Sequence, residues 1–236
     1  MALILNIETS TEVCSVNLSR DGELLVERES FEGLNHSQML TVYIEELYKE
    51  LGLAPKDTDA VAVSKGPGSY TGLRIGVSVA KGLCYSLNIP LIAIGTLDAM
   101  GSYAALNKNS YYNADDDNLM FCPMIDARRM EVYTAVYNNK GEIVSPVTAK
   151  IIDENSFSSM LKQKKILFFG NGAGKCQTII NHTNALFFGP EKASARFMIN
   201  YAEEKFNNKD WEDVAYFEPF YLKDFIATKP VKNKYK

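Results

Sequence analysis

Hydrophobic and polar positions follow two different periods in the first half of the chain. Short runs of β-branched and apolar residues at 3–7, 13–18 and 24–30 predict strands, and an Arg-Asp-Gly turn joins the last two as a hairpin. Across 37–51 the apolar residues recur at helical spacing, and Gly52 follows as a helix stop. The chain is therefore predicted to open with three strands and an amphipathic helix.

Strands and helices continue to alternate up to residue 106. The apolar run 59–64 is typical of a parallel strand covered on both faces. Apolar residues at helical spacing across 73–87 predict a second helix, and 91–94 and 96–106 predict one more strand and helix. The predicted order is β-β-β-α-β-α-β-α, which gives an α/β fold.

A polar, acidic and turn-rich stretch at 107–118 separates this half from the rest of the chain. We place a lobe boundary there, with 1–106 and about 191–236 in an N-terminal lobe and 107–190 in a second, smaller lobe. The elements predicted in the remainder are strands at 120–125, 131–137 and 166–169, turns at 126–129 and 138–141, a short helix after 174, and a helical stretch at 193–206 that crosses back to the first lobe.

Composition narrows the class of protein. With 46% hydrophobic and 23% charged residues the chain is an ordinary globular protein, and a net charge of -4 gives no global field that attracts nucleic acid. The first residues lack the basic lead of a secretion signal and the apolar runs are short, so we expect a cytoplasmic protein with no membrane contact. Scattered cysteines are expected to be small buried hydrophobes: Cys14, Cys84, Cys122 and Cys176.

The turn after the first strand is the first candidate for chemistry. Phosphate-binding turns of actin-like ATPases and sugar kinases place a glycine where this chain has Ser10, because glycine lets backbone amides approach a phosphate. Glu8, Thr9 and Ser10 are therefore candidate anion or nucleotide contacts, and a turn satisfied by its own side chains explains the pattern equally well. Glu8 ends a buried strand, so it is either a polar anchor between lobes or a ligand contact.

A second candidate is the turn at 126–129, which carries two arginines. Arg128 and Arg129 are predicted to bind an anion, an acidic surface or a phosphate. The alternative is a solvated turn in which they pair with Asp126 or Glu131.

A glycine-rich segment at 170–174, followed by Lys175, is the third candidate. Its spacing matches neither a P-loop nor a dinucleotide fingerprint. Glycines at a strand-to-helix turn usually serve tight packing, and Gly172 is kept as a candidate anion contact.

Histidine usage argues against a metal enzyme. The chain has only His36 and His182, in different predicted lobes, and neither belongs to an HExxH pair. We predict no metal site and no catalytic residue. His36 is expected to be a surface or capping residue at the first helix.

The segment GPGSYTGLRIG at 66–76 is the most distinctive of the chain. Its glycines allow unusual backbone angles, Pro67 fixes one turn, and Thr71 is a plausible N-cap for a helix that begins at residue 72 or 73. The segment looks like a phosphate loop, but we interpret it as a strand-to-helix connection that positions the helix for a partner protein. Arg74 is then a partner contact.

These motifs together resemble the TsaB (YeaZ) family, bacterial partners of the catalytic subunit TsaD in making threonylcarbamoyladenosine on tRNA. The resemblance covers nearly the full length. It rests on LNIETSTEVCSVNL near the start, His36-Ser37-Gln38, GPGSYTGLRIG, the DARR and EVY stretches at 126–133, and PFYL at 219–222.

The resemblance implies a two-lobed actin-like (ASKHA) fold, each lobe a ribonuclease H-like mixed sheet with flanking helices. It also implies a non-catalytic scaffold that supports a TsaD-like subunit, with the ATPase TsaE, in modifying tRNAs that read codons beginning with A. No cofactor is then required by this chain, although ATP or ADP is a candidate ligand at an interface with partners. Tyr221 and Leu222 are followed by Lys223 where an arginine is common in the family, and Glu8 stands where many relatives have aspartate.

The two predicted helices carry apolar stripes that we expect to exceed the needs of one lobe. We predict that they form a four-helix seam with the TsaD-like subunit, or with a second copy when the chain is alone. The competing hypothesis is an actin-like ATPase or small-molecule kinase acting alone. The predicted interface residues are His36, Leu40, Tyr43, Ile44, Leu47, Tyr70, Leu73, Arg74, Val77, Ala80, Lys81 and Cys84.

Overall fold

The computed structural model describes residues 2–31, 35–112 and 118–223, and their strands form two five-stranded mixed sheets. The predicted element order of the first half is confirmed. The strands of the first sheet are β1 Leu3–Glu8, β2 Cys14–Arg20, β3 Glu23–Ser30, β4 Ala60–Gly66 and β5 Leu91–Gly95. Their order is β3-β2-β1-β4-β5, with β1 antiparallel to β2 and parallel to β4.

Helices α1 (His36–Leu51) and α2 (Tyr70–Leu87) cover one face of this sheet. Gly52 ends α1 in the left-handed conformation at φ 64°, as predicted from the sequence. The predicted N-cap of α2 is wrong, because Ser69 rather than Thr71 accepts the Gly72 amide and the helix begins at Tyr70.

The elements of the second lobe are β6 Leu119–Asp126, β7 Glu131–Tyr137, β8 Ile143–Ile151, α4 Ser158–Leu161, β9 Lys165–Phe169, α5 Ala173–Cys176 and β10 Ala185–Phe187. The five strands form the second sheet in the order β10-β9-β6-β7-β8. The sequence did not predict β8 or β10. Both are edge strands with half-exposed side chains, and β8 contains Pro146, so neither shows a clear alternation.

A layer between the two sheets joins the lobes. It consists of α3 (Thr96–Leu106), a 3₁₀ turn (Ala195–Met198) and α6 (Ile199–Asn207). Side chains of α3 pack on both sides, since Met100 belongs to the core of the second sheet and Ala99 to a cluster on the first. The lobe boundary at residue 107 stays a prediction, and residues 113–117 and 224–236 of the predicted linker and tail lie outside the described ranges.

After α6 the chain returns along the first lobe as a strap of residues 212–223. The Glu212 amide donates to the Leu91 carbonyl at 2.8 Å, and the Phe220 amide donates to the Lys65 carbonyl at 2.7 Å. The Lys81 ammonium donates to two strap carbonyls, at Ala215 and Phe217. We call residues 212–223 the C-terminal strap.

Within the described ranges, no helix is long and apolar enough to cross a membrane.

Candidate functional site between the lobes

A cleft of about 880 Å³ lies between the two lobes. Four separate segments meet there, and each carries a motif that the sequence singled out. They are the β1–β2 turn at residues 10–12, the start of α2 at 68–73, the β6–β7 turn at 125–131 and the end of the C-terminal strap at 220–223, with Tyr133 and Asn171 as further lining residues.

Glu8 is held inside the first lobe. Its Oε1 accepts hydrogen bonds from the Ser10 amide at 2.6 Å and from the Ser64 hydroxyl at 2.9 Å, and only 1% of the residue is exposed. Burial raises the pKa of the Glu8 carboxyl, against the lowering effect of these hydrogen bonds. Glu8 is thus a polar anchor between β1 and β4 rather than between lobes, and it does not line the cleft.

Thr9 is also committed within the lobe. Its hydroxyl donates to the Gly72 carbonyl at 2.9 Å. A β-carbon on Gly72 would stand 2.1 Å from the Thr9 carbonyl oxygen, and one on Gly76 would stand 2.2 Å from the Thr9 hydroxyl. Two glycines of the GPGSYTGLRIG motif therefore allow α2 to pack closely against the β1–β2 turn. The predicted anion contact through the Thr9 side chain is not supported by this arrangement.

Ser10 differs from Glu8 and Thr9 because it borders the cleft. Its carbonyl accepts the Ser69 amide at 2.6 Å, which fixes the residue against the start of α2. The residue is fully buried, and its hydroxyl lies close enough to Glu8 to lower the pKa of the carboxyl.

Lys175 stabilises the β6–β7 turn. The Lys175 ammonium donates to Asp126 Oδ1 at 2.6 Å and to the carbonyls of Arg129 and Glu131 at 2.7 and 2.8 Å. Arg128 and Arg129 both adopt left-handed backbone conformations, at φ 73° and 50°, where a phosphate turn would have glycine.

The two arginine side chains of this turn are exposed at the cleft, so the alternative of a solvated turn is confirmed, and the Arg128 amide donates to Asp126 Oδ1 at 2.6 Å. Neither guanidinium group forms an ion pair with any residue that the structure describes, so the ion pairs with Asp126 or Glu131 in that alternative are wrong. Lys175 pairs with Asp126, and Lys223 pairs with Glu131.

The segment at 170–174 serves packing and links the lobes. The Gly172 amide donates to the Met124 carbonyl at 2.9 Å, and a β-carbon there would meet the Asp126 amide at 3.0 Å, so Gly172 is not an anion contact. Asn171 accepts from the Asp126 amide at 3.0 Å and donates to Glu12 of the first lobe at 2.7 Å. Asn171 was not predicted from the sequence, where its only signal was its place inside the glycine-rich turn.

An aromatic contact attaches the strap to α2. The rings of Tyr70 and Tyr221 lie 4.8 Å apart, and the Arg74 guanidinium stands 4.1 Å from the Tyr70 ring centre while its Nε donates to the Tyr221 hydroxyl at 3.2 Å. Two residues on, Lys223 pairs with Glu131 of the second lobe. The strap therefore connects the start of α2 to the second lobe along one wall of the cleft.

The helical stripes predicted to dock a partner are buried in the chain's own core. Because they pack between the helices and the first sheet, no partner reaches them without opening the lobe, and that part of the prediction is wrong. The buried members are His36, Leu40, Ile44, Leu47, Leu73, Val77, Ala80 and Cys84.

His36 is neither a surface nor a capping residue. Its Nε2 lies 3.0 and 3.1 Å from the carbonyls of Thr11 and Val13, which ties the start of α1 to the β1–β2 turn. Four predicted interface residues retain some exposure: Tyr43, Tyr70, Arg74 and Lys81.

The solvent face of α2 carries few charges. Arg74 and Lys81 are the only charged residues among its 18 positions. The exposed positions are otherwise small or aromatic, namely Thr71, Ser78, Gly82, Tyr85 and Ser86, and Tyr85 is 84% exposed. A β-carbon on Gly82 would have no neighbour within 4 Å.

The cysteines are buried, as the sequence predicted. Burial raises the pKa of Cys14 to about 11 and that of Cys122 to about 12, so these thiols are poor nucleophiles at neutral pH. No group of three or more metal-binding side chains is found within the described ranges.

Comparison with known proteins now decides the family. The sequence model of TsaD, tRNA N6-adenosine threonylcarbamoyltransferase, matches residues 32–229. The tRNA threonylcarbamoyladenosine biosynthesis protein TsaB of Bacillus subtilis is 33% identical over 174 residues, which are 71% of this chain and 70% of that one. The chain belongs to the TsaB (YeaZ) family. This membership supports a role in the biosynthesis of threonylcarbamoyladenosine on tRNA.

Solved structures agree with the TsaB (YeaZ) assignment at the level of the fold. YeaZ from Pseudomonas aeruginosa aligns with a TM-score of 0.78 at 24% identity, over 94% of this chain and all of that one. An activator of 2-hydroxyisocaproyl-CoA dehydratase from Clostridium difficile, solved with bound ADPNP, aligns at 0.50 and 10% identity over 89% and 98%. The predicted two-lobed actin-like fold is confirmed.

Proposed function

We propose that this TsaB family member is a non-catalytic scaffold that docks a TsaD-like subunit through the solvent face of α2. The assembly, completed by a TsaE-like ATPase, forms threonylcarbamoyladenosine on tRNAs that read codons beginning with A. Family membership supports the process, and the geometry of α2 supports the docking mode.

Gly82 carries the proposal. A glycine inside a helix costs about 0.5–1 kcal/mol relative to alanine. At Gly72 and Gly76 of the same helix a β-carbon would stand only 2.1 and 2.2 Å from Thr9 oxygens, whereas a β-carbon at Gly82 would face open space. A residue that weakens its own helix and fills no internal need is explained by the close approach of another backbone, and its neighbours Ser78 and Tyr85 leave such an approach uncharged.

The neighbouring apolar side chains extend this face. Ile75, Val79 and Leu83 of α2 are half-buried and follow one side of the helix, and Val42 of α1 is 43% exposed. Covering a large apolar side chain contributes roughly 1.5–3 kcal/mol. Without the TsaD-like subunit, the same face is expected to pair two copies of the chain as a symmetric dimer.

The segments that resemble phosphate loops form hydrogen bonds within the chain. This supports a scaffold over an ATPase or kinase acting alone. The amides of Ser10 and Gly172 donate to Glu8 and to the Met124 carbonyl, and the Lys175 ammonium braces the β6–β7 turn. These are the groups that a phosphate loop would offer to a nucleotide. Binding of ATP or ADP at a junction with partners, and a cytoplasmic location, stay predictions.

Matched glycine substitutions test the docking face. Gly82→Glu places a charge on the α2 face, and Gly174→Glu places the same charge on the other lobe, where a β-carbon also has open space. We expect Gly82→Glu to abolish co-elution with the TsaD-like subunit in size-exclusion chromatography, while Gly174→Glu co-elutes as the parent chain does. Both variants should retain the parent's circular dichroism spectrum.

Two outcomes contradict the proposal. If folded Gly82→Glu still co-elutes at the parent's level, the α2 face is not the docking surface. Loss of co-elution by Gly174→Glu as well would show a general effect of charge instead.

A further inference from the structure

A recess of about 210 Å³ opens in the second lobe, on the side of its sheet that carries α4. It lies between β7, β8 and the segment 155–160, and none of its lining residues borders the interlobe cleft. On the same side of the sheet, Val132 and Val136 of β7 belong to an apolar core. The recess is therefore a separate feature of this lobe, next to that core.

The strand register places polar side chains on this side of the sheet. Thr148 of β8 lies directly opposite Thr134 of β7, and Ser145 lies opposite Val136. Residues opposite one another in an antiparallel pair share a face, so these hydroxyls border the recess together. The Thr134 hydroxyl donates to the Pro123 carbonyl at 2.9 Å, which leaves the hydroxyls of β8 as the ones available to a ligand.

Lys150 adds a positive charge to the same wall. It is half-buried, its ammonium stands 5.1 Å from the centre of the Phe157 ring, and it forms no ion pair with any residue in the described ranges. The Asp153 carboxylate is used elsewhere, because its Oδ1 accepts from the Asn155 amide at 3.0 Å and from the Ser156 hydroxyl at 2.8 Å. The Lys150 ammonium is thus left to attract an anion.

Phe157 gives the recess an apolar surface. Its backbone adopts a left-handed conformation at φ 63°, which is costly for a bulky residue. The ring packs edge-on against Phe168 at 5.1 Å, and only 7% of the residue is exposed. Asn155 and Ser159 also line the recess, and their side chains form no hydrogen bond in the part of the chain that the structure describes. One ammonium, one aromatic ring and several unused hydrogen-bonding groups therefore converge.

This combination fits a small carboxylate with one negative charge. A single ammonium balances one carboxylate, whereas phosphate is usually held by arginine forks or several donors. Hydroxyl and amide groups can donate to the carboxylate oxygens, and the ring can cover an alkyl chain. At roughly 30 Å³ for each water molecule, 210 Å³ corresponds to about seven non-hydrogen atoms.

We propose that the recess between β7, β8 and α4 binds a small monocarboxylate. The Lys150 ammonium holds the carboxylate, the hydroxyls of Thr148 and Ser159 donate to it, and the alkyl chain lies on the Phe157 ring. This site goes beyond the docking function, since it belongs to the other lobe and requires no partner.

NMR titration of the ¹⁵N-labelled full chain, without partners, tests the proposal with butyrate, butyramide and inorganic phosphate as probes. We expect saturable shifts with butyrate at amides of β7, β8 and 155–160, with a Kd between about 0.1 and 10 mM. Butyramide and phosphate should cause no saturable shifts there. Lys150→Gln should weaken butyrate binding at least tenfold, and Thr148→Val should weaken it by about threefold.

A matched lysine variant controls for loss of charge. Lys162→Gln removes the same charge from an exposed position that does not line the recess, and it should bind butyrate as the parent does. Equal weakening by the two lysine variants, or no saturable shift with butyrate, would overturn the proposal. So would binding of butyramide or phosphate as tightly as butyrate. Because no partner is present, none of these outcomes bears on docking through α2.

Discussion

The two halves of α2 use glycine in opposite ways. In the first half, Gly72 and Gly76 lie against Thr9, and a β-carbon at either would come within about 2.2 Å of a Thr9 oxygen. In the second half, Gly82 has nothing within 4 Å. The first two glycines are explained by the fold of the chain itself, and the third is not.

The difference distinguishes glycines that serve packing within the chain from a glycine that is available for contact with another protein. The first half of α2 is built into the lobe, because the Thr9 hydroxyl donates to the Gly72 carbonyl and the Ser69 amide donates to the Ser10 carbonyl. The second half keeps an exposed surface with a small residue at its centre, and its one charged residue, Lys81, donates to carbonyls of the C-terminal strap. A glycine-rich sequence alone does not distinguish these cases.

The largest expected change in stability follows from adding a side chain to a glycine in the first half of α2. Gly72→Ala places a methyl group 2.1 Å from a backbone oxygen, which cannot yield as a flexible side chain would. We expect the free energy of unfolding to fall by about 3 kcal/mol, measured by urea denaturation. A loss no larger than that caused by Gly174→Ala, which has open space, would contradict the close contact.

Glu8, the buried anchor next to the first half of α2, makes the stability of the fold depend on pH. Burial raises the pKa of Glu8, so the unfolded chain loses this proton at a lower pH than the folded chain does. The contribution of Glu8 to the free energy of unfolding is present in full below its unfolded-state pKa of about 4.3. It falls as the pH rises toward the folded-state pKa, by about 1.4 kcal/mol for each unit by which the two pKa values differ.

Glu8→Gln removes this titration while keeping an acceptor for the Ser10 amide and the Ser64 hydroxyl. Urea denaturation between pH 4 and pH 8 should show the parent losing stability relative to Glu8→Gln as pH rises. Parallel curves for the two proteins would contradict a raised pKa of Glu8 in the folded chain.

A smaller effect is expected from the hydroxyl that ties the β1–β2 turn to α2. Thr9→Val keeps the shape of the side chain and removes the 2.9 Å hydrogen bond to the Gly72 carbonyl. We expect a loss of about 1 kcal/mol in the free energy of unfolding. A Thr9→Ser variant, which keeps the hydroxyl, serves as the control. If Thr9→Ser loses more than Thr9→Val, the methyl group rather than the hydrogen bond stabilises this contact.

The sequence predicted the elements of the first half well because their periods are strong. Core stripes such as Leu40, Ile44 and Leu47 have clear helical spacing, and Gly52 supplies a clear stop. The edge strand β8 was missed because half-exposed strands lack alternation. The same stripes misled the interface prediction, since periodicity reports that a face is apolar and not whether its own sheet already covers it.

The site was predictable by segment but not by residue. Sequence reasoning selected the turns at 8–11 and 126–129, and both reach the cleft. It did not show that the side chains of Glu8 and Thr9 are used inside the lobe, because that depends on the packing of β4 and α2. Nor did it find Asn171, whose partners Glu12 and Asp126 are distant in sequence.

The exposed half of α2 gives the smallest change in stability and the most direct test of docking. Gly82→Ala should raise the free energy of unfolding of the isolated chain by about 0.5–1 kcal/mol, because alanine favours the helix and meets no atom. In calorimetric titration with the TsaD-like subunit, the same variant should bind about tenfold more weakly, since a methyl group would obstruct the close approach of another backbone. A stabilised variant with the parent's Kd would contradict the claim that this face docks the partner.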